Sequence, residues 1–352
     1  MRALTESEAR VIAVLLSALP DRERERLRRI DIPRSTYHAA RRRAYEEGWL
    51  RDRYVPDPSR FGLPYAMFVV ARPFVDRVAE LVSEWQREPG NVVLWAGSQV
   101  ALGVFFLPTP EEASRISNRF DELNLGTWHE SITVRLDQPC IPVYFDFEGL
   151  WSHLAGMPGT LAYPHGLGGP GPDSENDDRP APGTLNTSMS WAVAELLHRP
   201  FVGQEQGRPG HLMGPLGLPF SQQKLLTRGW VLHRVFLEPS RLPAFKGRSA
   251  DQVNLILGRP KSQTHPEELF ATLTRDCRVF PFLYVASAER FLIAALGSSA
   301  PAPPSDATPE PRRPVLATLQ ANLEGIEIVQ ELAPNLVNHV DHRYDRLFAR
   351  KG

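Results

Sequence analysis

At 352 residues, the chain has room for two to four domains of roughly 100–200 residues each. Hydrophobic residues make up 42% and charged residues 23%, a balance that buries cores and excludes a wholly disordered chain. With 40 Lys+Arg against 41 Asp+Glu, the net charge of −1 excludes a uniformly basic polyanion binder, so any nucleic-acid site must be a local cluster.

No apolar run approaches the about 18–20 residues of a membrane span, and the charged start MRALTESEAR lacks the apolar stretch of a signal peptide. Two cysteines, Cys140 and Cys277, exclude a disulfide framework and a Cys-rich zinc site, so a reducing cytoplasm is the expected location.

In chain order, an apolar helix (ARVIAVLLSALP) is followed by a charged one (DRERERLRRI) and by the turn IDIP. Pro33 and Ser35 mark the start of the next helix, RSTYHAARRRAYEEGWL, residues 34–50. Its period turns Tyr37, Ala40 and Ala44 inward and Arg34, Thr36, His38, Arg41, Arg42 and Arg43 outward. Residues 22–53 hold eleven Arg against six acids, a local balance of +5. A short β-ribbon with a PSR turn follows.

That order, turn, helix, glycine and wing, is a winged helix–turn–helix, whose second helix enters the major groove. Arg34, Ser35, Thr36 and His38 at the helix start are placed for base edges, and the triplet Arg41, Arg42 and Arg43 for phosphates. Arg51, Arg53 and Arg60 of the wing add phosphate contacts. The competing reading is a solvated, salt-bridged helix pair.

Next come a strand at 65–72 and a helix at 75–86, with Val75, Val78, Ala79, Val82 and Trp85 on its inner face. Residues 91–107 read as two strands about a Gly97–Ser98 turn. A helix opening at Pro110 and a strand at 128–136 close a βαββαβ unit, the ferredoxin-like order.

The chain then repeats itself. GWLRDRYVPDPSR at 48–60 and GWVLHRVFLEPSR at 229–241 share six of thirteen residues without a gap. PYAMFVVARP matches ADQVNLILGRP, NVVLWAGSQVALGVFFLP matches VFPFLYVASAERFLIAALG, and PVYFDFEGLW matches HVDHRYDRLF, all in the same order. This is a tandem duplication offset by about 180–200 residues. The fold class is therefore α+β, a winged helix–turn–helix plus a ferredoxin-like domain, the pair duplicated as a pseudo-dimer. The expected domains are 1–61, winged helix; 62–151, ferredoxin-like; 152–186, Pro/Gly-rich linker; 187–243, second winged helix; and 244–352, second ferredoxin-like domain.

LTESEARVIAVL with DIPRSTYHAARRRAYEEGWL, followed by LWAGSQVALGVFF, resembles the Lrp/AsnC family of bacterial and archaeal regulators over residues 3–150, and more weakly over 188–348. The acidic residue usual after the strand–glycine turn is absent at Ser98–Gln99. The resemblance implies a transcriptional regulator whose small-molecule effector sits near Gly97, Ser98 and Gln99 and, in the second copy, near Ser287, Ala288 and Glu289. A turn that only joins strands is the plainer alternative.

The second helix–turn–helix is degenerate: Pro33 to Trp49 spans 16 positions, Pro219 to Trp230 only 11, and the Arg triplet is missing. One strong reading head per chain implies a homodimer on a palindrome. The expectations are thus double-stranded DNA as partner, no cofactor, no membrane and no enzymatic activity. Proteins similar to this family include siroheme decarboxylases, in which paired Lrp-like subunits bind a tetrapyrrole, and that is the alternative reading. An adaptor that has lost DNA binding is a third. His339 and His342, with Asp341 and Asp345, could ligate a metal, but the equivalent VYFDFEGLW has no His, and a polar surface is the better reading.

Overall fold

A computed structural model describes residues 5, 7, 8, 11, 12, 15, 32–56, 58–136, 141–144, 231–237, 252–273, 280–287, 289–297, 315–332, 335–340 and 343–351. The linker and most of the second winged helix lie outside these residues.

The third segment of the winged helix is α1, Arg34–Glu46, with Tyr37, Ala40 and Ala44 buried as the period predicts. It ends at Gly48, which takes a positive φ of 71°. The Trp49 amide donates to the Ala44 carbonyl and the Gly48 amide to that of Tyr45, so the last carbonyls are satisfied as a left-handed glycine cap requires. The helix therefore stops four residues before the expected end at 50. The wing strand β1, Leu50–Pro56, pairs with β7, Val231–Leu237, its counterpart in the repeat.

The first sheet contains β2 (Tyr65–Pro73), β3 (Asn91–Ala96), β4 (Ala101–Leu107) and β5 (Gly126–Arg135), in the order β3-β4-β2-β5. This antiparallel order, with helices α2 (Val78–Arg87) and α3 (Pro110–Glu122) as crossovers, is the ferredoxin-like fold. Val75 lies in a 3-10 turn ahead of α2 and is 70% exposed. Val82 and Trp85 are buried and Val78 packs against the core as expected, but the 3-10 turn advances fewer residues per revolution than an α-helix, so Val75 and Ala79 turn outward and Leu81 joins the inner face. Trp85 meets Phe105 edge-on and, with Met67, Val69, Leu94, Ile116 and Phe120, forms the core between sheet and helices. On the solvent side Arg115, beyond that core on α3, grips both Glu88 oxygens at 2.9 and 2.6 Å and tethers the end of α2.

The second sheet repeats the plan with β8 (Gln252–Pro260), β9 (Phe280–Ala286), β10 (Phe291–Gly297) and β11 (Leu323–Leu332), in the order β11-β8-β10-β9. Its helices are α4 (Pro266–Ala271) and α5 (Val315–Asn322). Strands β2 and β8 are both nine residues long, β4 and β10 both seven, β5 and β11 both ten. The fold is thus α+β with the ferredoxin-like unit present twice.

Each sheet has a fifth strand from the other half of the sequence. β6, Ile141–Tyr144, pairs with β9, and β12, Val337–Val340, pairs with β3. The two compact units are accordingly discontinuous: β6 goes with β8–β11, and β12 with β2–β5. A first ferredoxin-like domain running unbroken to residue 151 is corrected on this point, because residues 141–144 close the second sheet. β6 and β12 run into the segments matched as PVYFDFEGLW and HVDHRYDRLF, which begin at Pro142 and His339, so the exchange is reciprocal.

Both faces of the first sheet are buried: Ala66, Phe68, Val70, Val104 and Phe106 point away from the helices yet are buried as fully as Met67 and Val69. Such strands lose the alternation of a half-exposed sheet, which is why PYAMFVVARP reads as one apolar run. Among the described residues no helix is long and apolar enough to cross a membrane.

Two predictions follow from this packing. A Cβ on Gly126 would collide with the Arg72 carbonyl oxygen and crowd Phe120 at 2.9 Å. Gly126→Ala should therefore lower stability by about 1–3 kcal/mol, read by urea denaturation. His339 is the extra residue of the β12 bulge, and burial holds its pKa below the ordinary 6.5. The unfolded chain then binds the proton more readily, so this contribution is present above pH 6.5 and is lost as pH falls below it. In paired denaturation series His339→Gln should flatten that part of the pH dependence; an unchanged slope would refute the assignment.

Candidate functional site

The candidate nucleic-acid interface begins with Glu8. Its backbone amide donates to the Thr5 hydroxyl at 3.3 Å, and its Oε2 accepts the Thr5 amide at 2.8 Å. This reciprocal T-x-x-E capping box fixes the start of the first helix, where Val11, Ile12 and Leu15 are buried. The other carboxylate oxygen, Oε1, accepts from Arg43 Nη1 at 2.5 Å. Burial alone would raise the Glu8 pKa. The Thr5 amide, the Arg43 guanidinium and the Thr5 hydroxyl outweigh it and hold the carboxyl below its ordinary 4.5.

Arg43 is thereby turned inward. Its side chain is only 20% exposed, its Nε lies 3.8 Å from Glu47, and its guanidinium sits 5.0 Å from the centre of the buried Trp49 ring. The sequence reading aimed this arginine at phosphate. Instead it joins the first helix to α1 and to the root of the wing, because a carboxylate 35 positions upstream folds back onto it.

The other predicted contacts fall into three groups. Arg34 and Ser35 are exposed at the start of α1, and Thr36 is half-buried. Arg34 Nε donates to His38 Nε2 at 3.3 Å, one helical turn away, so these two are brought together. Arg42 is exposed at 68% and lies 3.8 Å from Glu46, while Arg41 is half-buried. Arg51 and Arg53 stand on β1 and Arg60 in the 3-10 turn Pro58–Phe61, and their side chains lie outside the described residues.

The two expected effector turns are equivalent in backbone and different in side chain. The Gly97 amide donates to the Val100 carbonyl at 2.8 Å, and the Ser287 amide to the Arg290 carbonyl at 2.9 Å. Ser98, Gln99 and Glu289 are exposed, and Ala288 lies outside the described residues. The Ser287 hydroxyl accepts the amides of Glu289 and Arg290 at 3.3 and 3.1 Å, so it is engaged within its own turn. His342 and Asp341 also lie outside the described residues; His339 stands on β12 and Asp345 pairs with Arg343 at 2.9 Å.

Glu8 is the residue that the sequence reading missed. Its signal was present as a Thr three positions before a Glu at the head of an apolar run.

No family model matches the chain, and no curated protein matches it. Among solved structures, it is similar to the crystal structure of the siroheme decarboxylase NirDL, at 10% identity and TM-score 0.47, over 98% of this chain and 97% of that one. It is also similar to that decarboxylase in co-complex with an iron-uroporphyrin III analogue, at 10% identity and TM-score 0.42, over 84% and 82%. The expectation that the chain is not an enzyme is corrected here, because these matched structures are of an enzyme.

The contrast between two neighbouring arginines can be tested directly. Arg43→Ala removes a charge-assisted bond and leaves Glu8 half-satisfied, so it should cost about 1–3 kcal/mol of stability. Arg42→Ala, exposed and weakly paired, should change stability by less than about 0.5 kcal/mol. Thermal unfolding followed by circular dichroism checks both, and equal effects would refute the inward assignment of Arg43.

Proposed function

We propose that this chain is a tetrapyrrole enzyme of the siroheme-decarboxylase kind, in which the two halves of one duplicated chain take the parts of two subunits. The observation that carries the reading is the reciprocal exchange of β6 and β12, which writes a strand of each half into the sheet of the other. A regulator that reads a palindrome with a single chain needs two equivalent reading helices in that chain. Here the Pro-to-Trp span of the second copy is five positions shorter in the sequence than that of the first, and one arginine of the first triplet is turned inward. A bound small molecule needs no such pair of equivalent helices. The acidic side chains of a tetrapyrrole suit arginine, which offers a fork of donors to each carboxylate.

DNA binding is the second reading, favoured by Arg34, Ser35 and Arg42, which stand exposed on α1. On this reading the chain would be an Lrp/AsnC-like regulator acting as a homodimer.

The two readings separate in one pair of titrations. On the first, the full chain titrated with haem or iron-uroporphyrin should shift the Soret band and saturate near one equivalent, and loss of carbon dioxide from sirohaem should be catalytic in protein. On the second, the chain should retard its own promoter fragment, with Arg41→Ala plus Arg42→Ala reducing the salt slope by about one unit for each lost phosphate contact. An unshifted Soret band beside a specific gel shift would overturn the enzyme reading.

A further inference from the structure

Residues 335–340 and 343–351 are seated on the first sheet in the manner of a bound peptide. β12 adds four residues to the free edge of β3, with Val337 opposite Ala96, Asn338 opposite Trp95 and Val340 opposite Leu94. The Gln86 side-chain amide donates to the His339 carbonyl at 3.2 Å. Past the strand, the Arg343 amide donates to the Val92 carbonyl at 2.9 Å. The Arg346 guanidinium donates to the Gln86 carbonyl and, at 3.4 Å, to that of Asn91. Val340 enters the core that holds Leu81 and Leu94, and the fully buried Tyr344 ring packs 6.2 Å from Phe106.

This is strand addition: main-chain bonds give the register, and two side-chain anchors fill apolar positions. Every partner named belongs to α2, β3, β4 or the turn between α2 and β3. None of these bonds depends on the covalent link that leads into residue 335. A second copy of the chain carries the same anchors at the same spacing, and exchange of an identical element replaces each contact with itself. Only the effective concentration of the tethered segment favours its own chain.

We propose that the β3 edge is a docking site for residues 335–351 that accepts this segment from a second copy as well as from its own chain, giving a strand-exchanged dimer. The proposal is independent of the tetrapyrrole reading.

The register supplies the test. In a background with Cys140→Ser and Cys277→Ser, one full-length copy carries Ala96→Cys and another Val337→Cys, at positions that face each other across the strands. The two are mixed in denaturant, refolded together at high concentration and oxidised. A disulfide-linked dimer joining the two different copies is expected, and neither copy alone should give it. A single chain carrying both substitutions should instead close internally. Closure of that chain with no mixed dimer overturns the proposal.

A measurement without cysteines stands beside it. The wild-type chain is refolded in the presence of a fluorescent peptide of residues 335–351, and capture is read by polarisation. Capture should weaken at least tenfold for the peptide with Tyr344→Ala and Arg346→Ala. No capture, or equal capture of both peptides, overturns the proposal whatever the cysteine variants do.

Discussion

A ferredoxin-like sheet leaves open the edge beside its second strand, and an open edge presents a row of unpaired amides and carbonyls to any strand that comes by. In this protein both such edges are closed, β3 by β12 and β9 by β6. Each closing strand is only four residues long and is encoded in the opposite half of the sequence. The burial pattern depends on that closure. Val340 completes the core under α2, and the chain after it places Tyr344 against Phe106 on the face turned away from the helices. Neither half of the sequence contains all the strands of its own sheet, so each sheet depends on both halves.

The duplication was legible because strand length and apolar content are local properties. β2 and β8 both read as apolar-rich strands ending in Arg-Pro, and the wing motif repeats at 48–60 and 229–241. The exchange was not legible, although the matched segments PVYFDFEGLW and HVDHRYDRLF overlap the strands that make it. A four-residue edge strand has too few positions for its alternation to name a partner, and pairing across about 200 residues leaves no trace in the local pattern. The displaced inner face of α2 has a similar cause. The sequence shows a helical period from Val75 onward, but the first turn is wound more tightly than that period assumes.

The arginine cluster shows a different limit. A surplus of five positive charges in residues 22–53 is a property of composition, and it does not say where each guanidinium points. Arg42 and Arg43 are neighbours in the chain, yet their successive directions on a helix differ by about 100°. One faces solvent and the other meets Glu8 and Trp49. The deciding partner was visible as a capping box, and a capped helix start predicts a carboxylate with one oxygen to spare. A charge reading that had placed this carboxylate before counting arginines would have removed Arg43 from the outward set.

The unlike turns bear on what a fused pseudo-dimer can become. In a symmetric dimer, any change at the strand–turn–strand corner appears twice, so a side chain useful on one side is imposed on the other. Once both copies lie in one chain, the corners are free to part. The first keeps Gly97, with no side chain between its two strands, and the second carries Ser287, whose hydroxyl is drawn onto the amides of Glu289 and Arg290. The hydrogen bond closing each corner is nevertheless the same, 2.8 Å in one and 2.9 Å in the other. Backbone geometry has thus been retained while side-chain chemistry has diverged. That is the pattern expected where each turn must keep its two strands paired and its side chains are free to differ. The difference between the two corners lies in their side chains and not in the bond that closes them.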